Sequence, residues 1–190
     1  MHQDYSGLTF ILVAGGVVLI VAICLYNYLV RVKNQVYLAI SSIDVFLKQR
    51  FDVLPNLVDV ARRYMEYEKE ILKELIEMRT AVMKKDRPPE DILADEKKST
   101  ALLRRLFAVA EGYPELKASK PFIRIQDALM EIETQIAAAR RAFSAAVTDY
   151  NNALEMFPTS CVAAILGYKK FRWFEAEDHE REKIDISDLW

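Results

Sequence analysis

The sequence predicts an all-α protein in which a single N-terminal transmembrane helix is followed by an antiparallel, up-and-down four-helix bundle. Three observations predict this fold class. Residues 8–30 form an apolar run without a charged residue, and the rest of the chain spaces its apolar residues at helical intervals. The 190 residues include only 5 glycines and 6 prolines, so few positions can interrupt a helix. Amphipathic helices joined by short loops pack against their sequence neighbours as a bundle.

The apolar run is long enough to cross a membrane. At about 1.5 Å per residue, roughly 20 apolar residues span a hydrocarbon core of about 30 Å. A cleaved signal peptide is the alternative, but no Lys or Arg precedes Leu8 and no small-residue cleavage site ends the run. A lipoprotein cleavage site at Cys24 is disfavoured because the preceding Ile23 is too large for it. The interpretation is therefore a retained span.

The charges around the span predict its orientation. Arg31 and Lys33 follow it directly, whereas no Lys or Arg precedes it. The excess of basic residues on the cytoplasmic side of membrane proteins then places residues 1–7 outside the cell membrane and the chain from residue 31 onward in the cytoplasm. The whole chain carries a formal net charge of −2, which offers no electrostatic footprint for nucleic acid.

Four amphipathic helices are predicted behind the span. The first ends near Gln49, the second runs from about Leu54 to Lys84, and the third covers about residues 92–107. The fourth ends at Pro158 and has an unbroken four-three apolar spacing, which is typical of knobs-into-holes packing. The predicted domains are a bundle over residues 31–158 and a tail over residues 159–190, first aromatic and basic, then acidic.

The stretch around Pro55 predicts a corner between the first two helices. A proline inside a helix removes a hydrogen bond and costs about 3 kcal/mol, whereas it fits the first turn of a new helix. Asp52 then suits the capping position and Asn56 can bond to backbone at the corner. One long helix kinked at Pro55 is the alternative. The predicted corner motif comprises Asp44, Arg50, Asp52, Pro55 and Asn56.

The charged residues of this stretch do not require chemistry. Asp44 and Lys48 have the i, i+4 spacing of a helical ion pair. A catalytic interpretation would need Asp44, Asp52 and Asp59 to converge in a pocket with a base or a metal, and their spacing does not demand this. The stretch is therefore interpreted as structural.

Several of these residues carry a resemblance to a known family. Residues 26–68 resemble the signature of the LemA family, and "YNNALEMFP" and "FEAED" resemble its closing motifs. The features that carry the resemblance in residues 26–68 are Tyr26-Asn27, Ile43-Asp44-Val45, Arg50, Asp52 and Pro55-Asn56-Leu57-Val58. The resemblance implies a single-span membrane protein with a short outer N-terminus and a helical bundle. It implies no reaction, but it does imply association with membrane-embedded zinc metalloproteases, and hence an adaptor role.

The residues offer little for catalysis or for binding a metal. The chain has two histidines, His2 before the span and His179 among charged residues near Glu175 and Glu177. Neither belongs to a helical pair of metal ligands, Cys161 has no histidine near it in sequence, and no glycine-rich phosphate loop occurs. No catalytic residue, cofactor or metal site is therefore predicted.

The tail is the second candidate site. Its aromatic residues are interleaved with basic ones, a pattern that membrane interfaces favour. The candidate contact with membrane or partner comprises Tyr168, Lys169, Lys170, Phe171, Arg172, Trp173 and Phe174. The alternative is that residues 162–166 cap the open end of the bundle and the aromatic residues seal it.

These observations predict a non-enzymatic, membrane-anchored scaffold or adaptor that presents its bundle to a protein partner. The partner would be a membrane protein, such as the zinc metalloprotease that the resemblance implies. The alternative is an envelope-stress or signalling component that senses the bilayer through the tail, and a metal-dependent hydrolase is a third class. Self-association through the apolar seams is a further interaction that the sequence leaves open.

Overall fold

A computed structural model of the chain describes the backbone of residues 3–171 and the side chains of residues 9–171, and these residues form helices joined by turns, without a β-strand. The all-α prediction is confirmed. In chain order the helices are α1 (Gln3–Ala61), α2 (Lys69–Val82), α3 (Pro89–Ala110), α4 (Pro114–Ala118), α5 (Lys120–Glu155) and α6 (Thr159–Ile165).

Helix α1 contains both the apolar run and the first soluble segment. It is 59 residues long and does not break at Val30, where the apolar run ends. It is the one described helix that is long and apolar enough to cross a membrane, with a mean hydropathy of 2.7 over its most apolar stretch of 18 residues. None of that stretch is buried against the rest of the protein. The span and the first soluble helix, predicted as separate elements, are therefore one helix.

The predicted corner at Pro55 is wrong, because Pro55 lies inside α1 and the helix continues to Ala61. Without an N–H group, Pro55 leaves the carbonyl of Phe51 without its normal helical donor. The side chain of Arg79 in α2 supplies one, since its Nε donates to Phe51 O over 3.3 Å. The helix tolerates the proline because a neighbouring helix replaces the missing hydrogen bond.

The chain instead reverses over residues 62–68, so the predicted helix from Leu54 to Lys84 is also wrong. Its first part belongs to α1, and α2 begins only at Lys69. Neither Gly nor Pro marks this turn. It is held by backbone hydrogen bonds, such as that from Met65 N to Ala61 O over 2.8 Å, and by the Met65 side chain, which is 1% exposed.

The later breaks lie where prolines predict them. Pro89 is the first residue of α3, a position that lacks an intrahelical N–H partner in any case. In the turn before it, Asp86 has a φ of 53°, a left-handed conformation that Asp tolerates better than most residues. Pro114 likewise begins the short α4, and α5 then runs for 36 residues.

The core is built from the apolar faces of five helices. Helices α1, α2, α3 and α4 and the first part of α5 contribute to one cluster of buried side chains. Fully burying a large aliphatic or aromatic side chain contributes about 1.5–3 kcal/mol. The least exposed members of the cluster include Leu47, Phe51, Leu57, Ala61, Leu106 and Leu116.

The chain divides into two compact units. The first comprises residues 1–29 and 147–190, and therefore contains the apolar run of α1, the end of α5 and helix α6. The second comprises residues 30–146 and contains the core cluster.

Candidate functional site

The most unusual feature of the second unit is a buried arginine. Arg50 is 0% exposed and is the largest fully buried side chain of the described residues. Its Nη1 donates to Ser99 Oγ and to Thr100 Oγ1, each over 3.0 Å, and its Nη2 forms an ion pair with Glu133. The guanidinium of α1 is thus bonded to both α3 and α5.

A second ion pair adjoins the first. Glu96 of α3 is 1% exposed, and its Oε1 lies 3.8 Å from Nη1 of Arg140 in α5. Thr100 Oγ1 donates to the same carboxylate oxygen over 3.4 Å, which links the two pairs. Two arginines and two glutamates therefore balance their formal charges around the Ser99 and Thr100 hydroxyls.

The electrostatics of this Arg50 cluster favour structure over chemistry. Burial lowers the pKa of Arg50 below its ordinary value, and Glu133 and Glu96 oppose that shift. A guanidinium has no accessible proton transfer near neutral pH, since it stays charged in proteins. Buried charged residues at helix contacts are best known for selecting one packing register. What the cluster can do is hold α1, α3 and α5 in one alignment.

A second arginine joins three other parts of the unit. Arg87, in the turn between α2 and α3, pairs with Asp44 of α1 over 3.0 Å and with Asp95 of α3. It also donates to Val82 O at the end of α2 over 3.3 Å. Asp44 in addition pairs with Lys48 over 2.6 Å, which confirms the predicted i, i+4 ion pair.

The five residues of the predicted corner motif do not form one site. Asp44 contacts the turn before α3, and Arg50 lies in the buried cluster. Asp52, Pro55 and Asn56 are exposed on α1. Within residues 9–171, no group of three or more His, Cys, Asp or Glu side chains is arranged to hold a metal ion.

The spacing of apolar residues in the sequence was enough to predict which polar residues of α1 and α3 are buried. The apolar positions of α1 continue in four-three steps from Leu47 through Arg50 to Leu54. In α3, the same steps run from Ile92 through Glu96 and Ser99 to Leu103. Arg50, Glu96 and Ser99 thus occupy seam positions, whereas Arg87 lies in a turn where no periodic signal exists.

A groove lies between α2 and α3. It has a volume of about 580 Å³. Its walls combine apolar side chains with charges of both signs, and the Arg105–Glu74 ion pair bridges its two helices over 3.1 Å. The lining residues are Glu74, Glu77, Met78, Ala81, Asp95, Lys98, Ala101, Leu102 and Arg105.

The first unit contains the start of the predicted tail contact, and this segment folds back on α5. Gly167, with a φ of 67°, ends α6 by donating to Ala164 O, and Tyr168 N donates to Ala163 O over 3.1 Å. These two bonds form a Schellman motif, in which a left-handed glycine ends a helix and reverses the chain. The reversal directs Tyr168 and Phe171 towards Tyr150, with ring centroids 6.5 and 5.4 Å from it.

Polar contacts hold the same segment. Asn151 Nδ2 donates to Phe171 O over 3.0 Å, and Phe171 N donates to Asn151 Oδ1 over 3.1 Å. The Tyr150 hydroxyl donates to Lys169 O over 3.0 Å, while the Lys169 side chain is exposed. Lys170 is also exposed and pairs with Glu155. The remaining predicted contact residues, Arg172, Trp173 and Phe174, lie outside the described residues.

Comparison with known proteins gives the family. Residues 39–187 match the sequence profile of the LemA family. The chain belongs to the LemA family. The resemblance predicted from residues 26–68 is therefore confirmed, and the LemA match includes α2 to α6 together with residues 39–61 of α1.

Three relatives show how far the similarity extends. Protein LemA of Metamycoplasma hominis is 27% identical over 187 residues, which is 98% of this LemA-family chain and 85% of that protein. Magnetosome protein MamQ of Magnetospirillum gryphiswaldense is 31% identical over 83 residues, 44% of this chain and 29% of that protein. Magnetosome protein MamQ 2 of Paramagnetospirillum magneticum is 24% identical over 175 residues, 79% of this chain and 64% of that protein.

Proposed function

We propose that this LemA-family chain is a non-enzymatic scaffold or adaptor that is anchored in the cell membrane by a single span. The observation that carries the proposal is the continuity of α1, which passes without a break from the apolar run into the core cluster. A helix that is shared in this way couples the soluble core to the bilayer without a linker. Arg31 and Lys33 at the end of the apolar run support a cytoplasmic core and an outer N-terminus.

The scaffold itself is proposed to be an up-and-down bundle of α2, α3, α5 and the soluble part of α1. The shared core cluster and the short turns between successive helices support this arrangement. The Arg50 cluster gives the bundle a single register, because a shifted α1 would leave a buried guanidinium without its partners. One register means one set of exposed surfaces for a partner to recognise.

The α2–α3 groove is the proposed partner site, and its occupant is a helix of a membrane protein. Bundles commonly recruit an amphipathic helix by laying its apolar face into a groove. Met78, Ala81 and Leu102 supply the apolar floor, and the charges on the rim suit a helix that carries charges of both signs. The family resemblance makes a membrane-embedded zinc metalloprotease the partner class to test first.

The arrangement of charges supports a non-enzymatic role. Arg50 is the most deeply buried charged residue of those described, and its guanidinium is bonded to Ser99, Thr100 and Glu133. Because a guanidinium stays protonated in proteins, it cannot act as a base. Bilayer sensing through the predicted tail contact stays an alternative, and self-association stays a prediction.

Site-specific photocrosslinking in native membranes tests the groove. A benzoylphenylalanine at Ala101, an exposed residue of the groove wall, is expected to give a crosslinked product of defined mass with a membrane protein. The matched control is the same substitution at Ala142, an exposed alanine of α5 that does not line the groove. Absence of a product at position 101, or equal products at both positions, would contradict the proposed partner site.

A further inference from the structure

Helix α6 has an exposure pattern opposite to that of a water-soluble surface helix. Its buried residues are Thr159 and Ala163, one of them polar. The exposed residues of α6 and of the turns on either side of it are mainly apolar. No charged residue occurs between Glu155 and Lys169. A surface helix in water normally presents charged and polar side chains on its outer face. The exposed set comprises Met156, Phe157, Pro158, Cys161, Ala164, Ile165 and Leu166.

Two large apolar side chains of this set are exposed over most of their surface. Phe157 is 83% exposed and Ile165 is 85% exposed, and Met156 and Leu166 are exposed as well. Phe157, Cys161 and Ile165 follow one another at intervals of four residues. Cys161 and Ile165 therefore lie on one side of α6, and Phe157 lies in the turn that precedes the helix; these three residues form the α6 stripe. Among the described residues outside α1, no other short segment contains two large apolar side chains that are each more than 80% exposed.

The position of the stripe within its unit indicates which surface covers it. The first unit combines the end of α5 and α6 with the apolar run of α1. Residues 9–24 of α1 are exposed throughout, and burial within the run begins only at Leu25 and Leu29. Within this unit, the burial of α1 is therefore confined to the end of the apolar run, next to Arg31. That end is where a spanning helix passes through the headgroup region.

The charges beside the stripe agree with this position. Lys169 and Lys170 lie four and five residues after Ile165 and are exposed, and Lys170 also pairs with Glu155. Basic side chains beside apolar ones are typical of segments that lie in a bilayer interface, where anionic headgroups attract them. The Schellman motif at Gly167 and the contacts of Phe171 with Asn151 fix the end of α6, so the stripe has a defined orientation on its unit.

We propose that the α6 stripe inserts into the interfacial layer of the same bilayer that α1 spans, as a second contact between the protein and the membrane. Segments of this kind bury their apolar side roughly 5–10 Å into the boundary between headgroups and acyl chains. The lipid contact then falls mainly to Phe157 and Ile165, because Tyr168 and Phe171 of the predicted tail contact pack on Tyr150. The proposal is independent of the scaffold function, since it concerns lipid and not the protein partner.

The native Cys161 lies in the stripe and offers a direct test. Full-length protein with Cys24→Ala is spin-labelled at Cys161 and reconstituted into vesicles of phosphatidylcholine and phosphatidylglycerol. Collisions of the label with oxygen, which concentrates in lipid, are compared with collisions with a water-soluble nickel chelate. The aqueous control carries the label at Glu115→Cys and the lipid control at Val18→Cys, both at exposed positions, in the same background with Cys161→Ala.

The expected result is an oxygen-to-nickel ratio at position 161 several-fold above that of the aqueous control. The double variant F157D/I165D should lower this ratio to the aqueous value. Its thermal unfolding should stay unchanged, because both side chains are exposed. An oxygen-to-nickel ratio at position 161 that equals the ratio of the aqueous control would overturn the proposal. So would a label shielded from both reagents, which would indicate that protein covers the stripe, and so would a lipid-like ratio that persists in the double variant.

Discussion

At the scale of single residues, the buried arginine is the feature with the largest predicted energetic effect. Arg50 lies among apolar seam residues of α1, yet its charge is met by Glu133 and by two hydroxyls of α3. Such a pair is not by itself a source of stability, because desolvation offsets its attraction. Removing one partner is costly, however, where a remaining charge stays buried.

Arg50→Met is therefore expected to lower the free energy of unfolding by about 3 kcal/mol. The cause is Glu96, which is 1% exposed and would keep only Arg140, at 3.8 Å, as a charged partner. Adding Glu96→Gln should recover part of the loss, because it removes the buried charge that the first change strands. The measurement is urea unfolding of the full-length protein in detergent, followed by far-ultraviolet circular dichroism.

Arg141→Met is the matched control, since Arg141 is exposed on α5. It should change the free energy of unfolding by about 0.5 kcal/mol or less. Equal changes in the free energy of unfolding at positions 50 and 141 would show that the buried Arg50 contributes no more to stability than an exposed arginine.

At the scale of helices, the proline in α1 makes a specific prediction about its neighbour. Arg79→Met removes the donor that Phe51 O receives in place of the missing N–H of Pro55, and should cost about 1 kcal/mol. In a Pro55→Ala background the backbone itself supplies that donor, so the same substitution should cost less. A double-mutant cycle of the unfolding free energies measures the difference, and a coupling indistinguishable from zero would refute this explanation of the proline.

The same helix shows what the sequence could and could not predict. The long apolar helix, the all-α class and the breaks at the prolines that begin α3 and α4 follow from composition and local stereochemistry. The continuity of α1 was also encoded, because its four-three seam runs through Arg50, Leu54, Leu57 and Ala61 without a change of register. The proline rule outweighed that seam, because the compensating Arg79 lies in another helix.

The turn over residues 62–68, in contrast, could not be predicted from the local sequence. It contains no Gly or Pro, and its strongest determinant is the burial of Met65 in the core cluster. Tertiary contacts of this kind override local propensity and are not visible in a single sequence. The contacts of Arg87 with Asp44 and Asp95 belong to the same class, because they join a turn to two helices that only the fold brings together.

At the scale of the whole molecule, membership of the LemA family and the one helix of the described residues that could span a membrane support the proposed membrane anchor. The candidate site is less predictable than the fold. The residues of the predicted corner motif lie apart, in the buried cluster, beside the turn before α3 and on the exposed side of α1, whereas the groove arises from the packing of α2 against α3. A concave surface between two helices depends on their contact and carries no motif.

The most direct test of the scaffold is co-purification of the full-length protein from native membranes in mild detergent, with retained proteins identified by mass spectrometry. Three chains are compared: the wild type, Ala101→Trp, which fills the groove, and the exposed control Ala142→Trp. We predict that the wild type and Ala142→Trp retain the same membrane protein and that Ala101→Trp loses it several-fold. If the wild type enriches no membrane protein over an untagged strain, the scaffold proposal is contradicted.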